Sequence, residues 1–525
     1  MTFSAQLEAF EKRITELEAE NKRLHDTVAY LTKQLFGKRS EKTSSLSQGQ
    51  VSLFDELPPV FNEMEILADP KVAEPNLQQE AAKFAQKRYK GQRKDQIKHL
   101  EHVKKVYHLV DAGRSCKTCD TELAVVGEEF VRSELEFIPA QVRVIDYYRE
   151  TLECRSCRKN DKPYMEKAEV PDPVILHSLA SPSTLAWIMH QKFVNAIPLY
   201  RQEAEWQMLG VTLSRATMSN WLMVAARDWL IPVVNRLHQE LLKEKYLHVD
   251  ETPIQVLQEE GRKNTTESYM WVYSTGQYGN HPIRLFEYQP GRGGHYPKKF
   301  LTGFTGYMHT DGYTGYDKVE KIIRCYCWAH VRRKFVDALP KDVQSPEVTL
   351  AAQGIQFCNQ LFEMEKVFRD LSQEERYKER LAKQMPMLEA FWAWAESSRQ
   401  ATPPKGKTSE ALLYAVKHKE GLMNYLKDGN CSISNNLAEN SIRPFTIGRK
   451  NWLFSGSPKG AAASAAIYSL VETAKANGLS PHRYVEYILG DLPGIPFRQY
   501  PEILDDYLPW NPDIQKKCSS SKTGK

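Results

Sequence analysis

A multidomain α+β protein is what the sequence predicts, and three observations predict it. Apolar residues recur every seven positions near the N-terminus, and two Cys-x-x-Cys pairs follow at Cys116/Cys119 and Cys154/Cys157. From Tyr246 onward, short β-branched and aromatic runs alternate with segments of helical period, and one long helical stretch interrupts them. At 525 residues the chain is long enough for several cores. Its formal net charge of +5 is small for that length, so only local clusters of basic residues speak for a polyanionic partner. Hydrophobic residues at 41% and charged ones at 26% form an ordinary balance for a water-soluble protein. No apolar run reaches the length of a membrane span and no signal-peptide pattern follows Met1, which sets the expectation of a cytoplasmic protein with no membrane partner. Four of the nine cysteines fall in the two pairs, which suits thiols and a metal better than a disulfide framework.

The heptads define the first element, residues 1–36. Leu7, Ile14, Asn21, Val28 and Leu35 occupy one seam position and Phe10, Leu17, Leu24 and Leu31 the other. This pattern predicts a coiled coil that pairs two copies of the chain, with Asn21 selecting register; an amphipathic helix folded on its own domain is the alternative. Residues 37–82 are rich in Ser, Gln, Glu and Pro and read as a linker. Residues 83–110 gather Lys83, Lys87, Arg88, Lys90, Arg93, Lys94, Lys98, Lys104 and Lys105, either to neutralise phosphates or as a solvated tether. Over 111–165, strand-like sequence at Glu129–Phe137 and Gln141–Glu150 separates the cysteine pairs. Thiolates of Cys116, Cys119, Cys154 and Cys157 brought together by a hairpin would hold a structural Zn2+ tetrahedrally. Residues 180–242 are helical, and within them Leu199–Leu209, Gly210-Val211 and Leu213–Ala226 have helix-turn-helix spacing. Arg215, Thr217 and Asn220, with Ser214 and Ser219, stand near the start of the second helix, where they would meet DNA; a plain helical packing unit would share this spacing.

Over residues 243–340 the period changes to that of strands. YLHVDETPIQVL from Tyr246, Tyr269–Thr275 and Ile283–Tyr288 read as three consecutive strands, followed by a turn at Gly291–Gly294, a helix at Lys298–Leu301, a fourth strand at Tyr307–Asp311, a fifth at Ile322–Trp328, and a helix near His330–Leu339. That order matches a ribonuclease-H-like core, and a generic α/β domain shares much of it. Asp250 lies within the first strand and Asp311 ends the fourth, so both can stand on one sheet. With Glu439 they would complete a carboxylate site for two Mg2+ (or Mn2+) ions. Alternatively each aspartate caps a strand or turn. Residues 341–428 read as an all-helical insertion, broken by a short basic loop at Pro403–Lys407. Residues 429–458 then complete the core. A helix there would carry Asn435, Glu439 and Arg443 on one face, and Pro444 is expected to limit it to a short turn or a kink. Arg443, Arg449 and Lys450 form a candidate clamp for the DNA backbone. Glu472 is a rival third acid, although its neighbours look like ordinary helix packing. Residues 459–495 are expected as a C-terminal helical segment and 496–525 as a tail.

Together these pieces resemble the DDE transposases of the insertion-sequence-66 type over essentially the whole chain. The resemblance rests on LFGKRSEK after the heptads, the paired Cys-x-x-Cys ribbon, IPLYRQEAEWQMLGVTLSRATMSNWL, HVDETP, HTDGYTGYD, CWAHVRRKF, SNNLAENSIRPFTIGRKNWLFSGS and SLVETAKANGLSPHRYVEYIL. It implies that Asp250, Asp311 and Glu439 are the metal-binding catalytic triad. It also implies that the protein binds the terminal inverted repeats of its element as double-stranded DNA, cuts at the ends, and directs the freed 3'-hydroxyls against target DNA by in-line transesterification. Accessory proteins encoded beside the transposase, and association with the nucleoid when DNA is bound, belong to the same implication. Cys327-Trp-Ala-His330 resembles a Cys-x-x-His signature that follows the second aspartate in several transposase groups. It reads either as a small metal site, with Cys325 as a further ligand, or as a buried Cys and a packed His. Asn440 stands where many relatives carry Arg. Two other functions stay open on sequence: a catalytically inactive, domesticated DNA-binding regulator, and a metal-dependent nuclease that cuts without joining.

Overall fold

The computed structural model describes residues 141–154, 165–340 and 349–520. The heptads, the linker, the basic segment, the strand pattern at Glu129–Phe137, and Cys116, Cys119 and Cys157 lie outside the described residues. Within the cysteine region a two-stranded antiparallel ladder forms from β1 (Thr151–Glu153) and β2 (Met165–Lys167), with Leu152 opposite Glu166. Residues 141–150, where a strand is expected, are exposed and pair with no strand among the described residues; the partner expected for them, Glu129–Phe137, lies outside those residues.

Among the described residues, four α-helices precede the main sheet. Ser181 caps α1 (Pro182–Phe193) by accepting the Thr184 amide, and α2 (Leu199–Met208) follows. Gly210, with φ of 82°, makes the turn that a side chain would disfavour. Ser214 then caps α3 (Arg215–Ala225), which passes through a wide turn at Ala226–Leu230 into α4 (Ile231–Leu241).

The sheet is built from β3 (Tyr246–Val256), β4 (Glu267–Thr275), β5 (Arg284–Gln289), β6 (Gly306–Thr310) and β7 (Ile322–Tyr326) in the spatial order β5-β4-β3-β6-β7. β3, β4 and β5 are antiparallel neighbours, whereas β3, β6 and β7 run parallel. A helix α5 (His295–Phe300) precedes β6, slightly earlier than the expected Lys298–Leu301. β7 stops at Tyr326, short of the expected Trp328, because Cys327 is the N-cap of α6 (Trp328–Asp337).

The insertion contains only helices among the described residues: α7 (Leu350–Phe368), α8 (Gln373–Glu379), α9 (Met385–Ala401), α10 (Lys407–Lys417) and α11 (Lys419–Met423). Its core is its own, with Leu361, Leu388, Phe391, Leu412 and Tyr425 packing on Trp328, Val331 and Phe335 of α6. The chain returns to the sheet through α12 (Asn436–Trp452), and the short β8 (Phe454–Ser455) pairs with the end of β3. The short turn expected at Pro444 is overturned, since α12 spans 17 residues with Pro444 inside it. An interior proline costs about 3 kcal/mol. Burial of Ala438, Ile442 and Phe445 on the side facing the sheet offsets it.

Helices α13 (Pro458–Ala476) and α14 (Pro481–Asp491) share one core with α1, α3, α4 and the sheet. α13 also covers the open edge of the sheet: Ser469 Oγ accepts the Phe286 amide at 2.8 Å and Thr473 Oγ1 that of Arg284 at 3.0 Å. The tail expected over 496–525 folds back as far as the described residues extend. It forms a 3-10 turn at Pro501–Tyr507 and α15 (Pro512–Cys518), and it buries Leu504, Tyr507, Leu508 and Ile514. Among the described residues no helix is long and apolar enough to cross a membrane.

Candidate active site

Asp250 lies in the middle of β3, opposite Val272 of β4. In the parallel ladder His248 of β3 faces His309 of β6. The same offset carried two residues further sets Asp250 level with Asp311, which directly follows β6. Asp250 Oδ1 accepts the Glu251 amide at 2.9 Å, and Asp311 Oδ1 accepts the Tyr313 amide at 2.9 Å, turning the chain away from the sheet. Buried Arg324 pins that turn. Its Nε donates to Thr310 Oγ1 at 2.8 Å, and one terminal nitrogen donates to the carbonyls of Asp311 at 2.8 Å and Tyr313 at 2.6 Å.

Glu439 arrives on the first turn of α12. One of its oxygens pairs with Arg333 at 3.2 Å; the other lies 3.9 Å from His330 Nδ1, and these last two atoms are shielded from solvent without a hydrogen-bond partner. Burial, then the charges of Glu251, Asp311 and Glu439, hold the Asp250 carboxyl well above the usual carboxylate range. The structure therefore brings together Asp250, Asp311 and Glu439 from β3, the end of β6, and α12. Glu472 is elsewhere, on α13, where it pairs with Lys475 at 2.7 Å and its charge acts on Arg284 and Tyr468.

Cys327 and His330 join this site. Their ligand-type atoms and that of Glu439 all lie within 4.8 Å of one another. Burial pushes the Cys327 thiol up to about 12, and its sulfur accepts the Asn435 amide at 3.1 Å. Burial also lowers His330, against the pull of Glu439 and Asp311. Cys325 is not part of this group; it gathers with His309 and Cys431 instead.

Three residues beside the acids have roles that no local signal in the sequence carried. The Glu251 carboxylate is almost fully buried and takes hydrogen bonds from Arg292 Nε at 2.6 Å and from the Tyr316 hydroxyl. Arg292 lies over the Tyr313 ring at 4.1 Å and within 4.0 Å of Asp311. Asn435 is buried between elements: its amide donates to the Val249 carbonyl at 2.9 Å and its oxygen meets His248 Nδ1 at 3.1 Å. The glycine run around Arg292 reads only as a turn, and the role of Asn435 depends on partners far away in the chain.

Of the candidate DNA contacts, Arg215 and Asn220 are exposed on α3. Thr217 is engaged in the cap, its amide and hydroxyl meeting Ser214 Oγ at 3.1 and 2.9 Å. On α12, Arg443 and Lys450 are exposed. Arg449 turns back onto β3, donating to Thr252 Oγ1 at 3.0 Å and to the Pro253 carbonyl.

Fold and site together define a mixed helix-and-sheet protein whose carboxylates, drawn from two parallel strands and a helix, suit a hard divalent cation. A family described as "Transposase IS66 family" matches residues 177–463, more than half of the chain and all three acids. The chain belongs to the IS66 transposase family. A "zinc-finger binding domain of transposase IS66" matches residues 114–158, which include all four ribbon cysteines and support structural zinc there. "Transposase C of IS166 homeodomain" matches residues 23–104. Similar proteins include two uncharacterized proteins of Sinorhizobium fredii. The protein y4hP is 28% identical over 91% of this chain and 87% of its own length, and y4qI is 29% identical over 97% and 93%.

Proposed function

We propose that the chain is a DDE transposase that binds the ends of its insertion sequence, cuts them, and joins them to target DNA. The observation that carries this reading is the convergence of Asp250, Asp311 and Glu439 from segments far apart in sequence. Sheet order supports a ribonuclease-H-like core, with three antiparallel strands extended on the β3 side by two parallel ones. The donors fit Mg2+ or Mn2+: all three are carboxylates, Asp250 is pushed toward its protonated form by burial and then by its acidic neighbours, and one Glu439 oxygen is buried without a hydrogen bond. When bound, such ions supply activation of the attacking oxygen and stabilisation of the leaving one.

The chain's own residues do the positioning. Arg324 fixes the turn that presents Asp311, Arg333 neutralises one Glu439 oxygen, and Asn435 ties the start of α12 to β3. Arg215 and Asn220 on α3, read as the second helix of a helix-turn-helix, and Arg443 and Lys450 on α12 would contact the duplex; Thr217 supports α3 through its cap, and Arg449 positions α12. The N-terminal heptads would pair two copies so that both element ends are held at once, with the protein in the cytoplasm and on the nucleoid when DNA is bound. Proteins encoded by the same element are candidate helpers.

The test is an assay with labelled duplexes of the element's inverted repeats, Mg2+ and a target plasmid. Wild-type protein is expected to nick and join the ends. Asp250→Asn, Asp311→Asn and Glu439→Gln are each expected to lose both steps by at least about a hundredfold, roughly 2.7 kcal/mol in the barrier, while retaining end binding in a gel shift. A fully active variant strikes that residue from the site. Cleavage without joining marks a nuclease, and binding without cleavage marks a regulator.

A further inference from the structure

His309 of β6, Cys325 of β7, and Cys431 in the segment between α11 and α12 meet inside the protein, with one ligand-type atom of each within 4.8 Å of the others. Their exposures are 1%, 0% and 0%, so water does not compete for them. We propose that these two thiols and one imidazole form a second metal site, for a thiophilic ion of the Zn2+ type, separate from the cysteine ribbon and from the carboxylate centre.

The donor chemistry fits such an ion. His309 Nδ1 lies 3.2 Å from the Leu247 carbonyl, which holds the proton on that nitrogen and leaves the lone pair on Nε2. That lone pair already faces the Cys431 segment, accepting the Ser432 amide at 2.9 Å. The Cys431 thiol hydrogen-bonds both Cys325 and His309. Next to the cluster, His248 stacks on His309 with ring centroids 4.4 Å apart and keeps a buried Nε2 without a hydrogen-bond partner.

On binding, both S–H bonds break, two S–Zn bonds form, two protons leave to solvent, and the Ser432 amide gives up Nε2 to the ion. Two thiolates and a neutral imidazole around Zn2+ carry no net charge, which suits a site without solvent. Soft sulfur donors select against Mg2+, so the site does not compete with Asp250, Asp311 and Glu439 for their ion. Complete burial argues against the same thiols acting as a redox pair, because oxidants need an exposed thiolate. The ion would cross-link β6, which leads into Asp311, to the segment that leads into Glu439.

Metal content of the full-length protein tests the proposal. Two zinc ions per chain are expected, falling to one in Cys325→Ser/Cys431→Ser and also to one in Cys116→Ser/Cys119→Ser. Cobalt loaded into the ribbon variant is expected to show thiolate-to-cobalt absorption that Cys325→Ser/Cys431→Ser abolishes. A single zinc that the ribbon substitutions remove overturns the site, and so does an intact mass lighter by two hydrogens that returns to the reduced value in Cys325→Ser, which marks a disulfide. Should the Cys325/Cys431 variant fail to fold, the unaltered chain and the ribbon variant still decide, through one zinc or none left after the ribbon is removed.

Discussion

At the scale of single residues, the balance of charge around Asp250 governs the candidate site. Three carboxylates press on it and burial denies it water, so its ionised form is costly until a cation arrives. Asp250→Asn removes that repulsion, so without divalent ions it is expected to melt at or above the wild-type temperature. With Mg2+ at a hundredfold over its dissociation constant the wild type gains about 2.7 kcal/mol, and the variant gains none. Thermal melts with and without Mg2+ check this, and an equal Mg2+ response in both proteins refutes the metal assignment. Asn435 tests the scaffold beneath the acids. Asn435→Ala strands the Val249 carbonyl and His248 Nδ1 in the interior, at a cost of about 1–3 kcal/mol for each group left without a partner. Urea titration is expected to show the loss with the slope unchanged.

Among elements, α12 shows where sequence reasoning reached its limit. The strands β3 to β7 were legible because β-branched and aromatic residues mark them locally, and Asp250 and Asp311 fall into place once β3 and β6 are paired in parallel. Glu439 was legible as an acid on a helix, but the length of that helix was not, since a local rule about Pro444 competes with burial of residues that meet the sheet only after folding. Arg292 and Arg324 were invisible for the same reason, and so were the partners of Asn435: each acts on groups brought near by topology, not by spacing. If packing alone carries α12 past its proline, then Pro444→Ala restores a backbone donor to the Asn440 carbonyl at little cost to the buried face. A gain of about 1–3 kcal/mol is expected in chemical denaturation. No gain would mean that the packing uses the distortion proline imposes.

For the molecule as a whole, the division into segments was easier to read than the way the segments share cores. The helical insertion has an apolar interior of its own, whereas the helices of 180–242, the sheet, α13, α14 and the C-terminal residues share one. The residues after 495 resemble a tail because their apolar positions follow no helical or strand period, yet a 3-10 turn places Leu504, Tyr507 and Leu508 inside. Tyr484 donates its hydroxyl hydrogen to the Tyr507 carbonyl at 2.7 Å, and Arg236 of α4 pairs with Asp505. Removing residues 496–525 strips these partners and uncovers the side chains beneath them. Burying one large apolar side chain is worth about 1.5–3 kcal/mol, and a domain holds only about 5–15 kcal/mol in reserve. The truncated chain is therefore expected to be insoluble or to melt without cooperativity. Differential scanning calorimetry of the deletion beside the full chain checks this, and a cooperative transition at the wild-type temperature would show that the shared core does not need these residues.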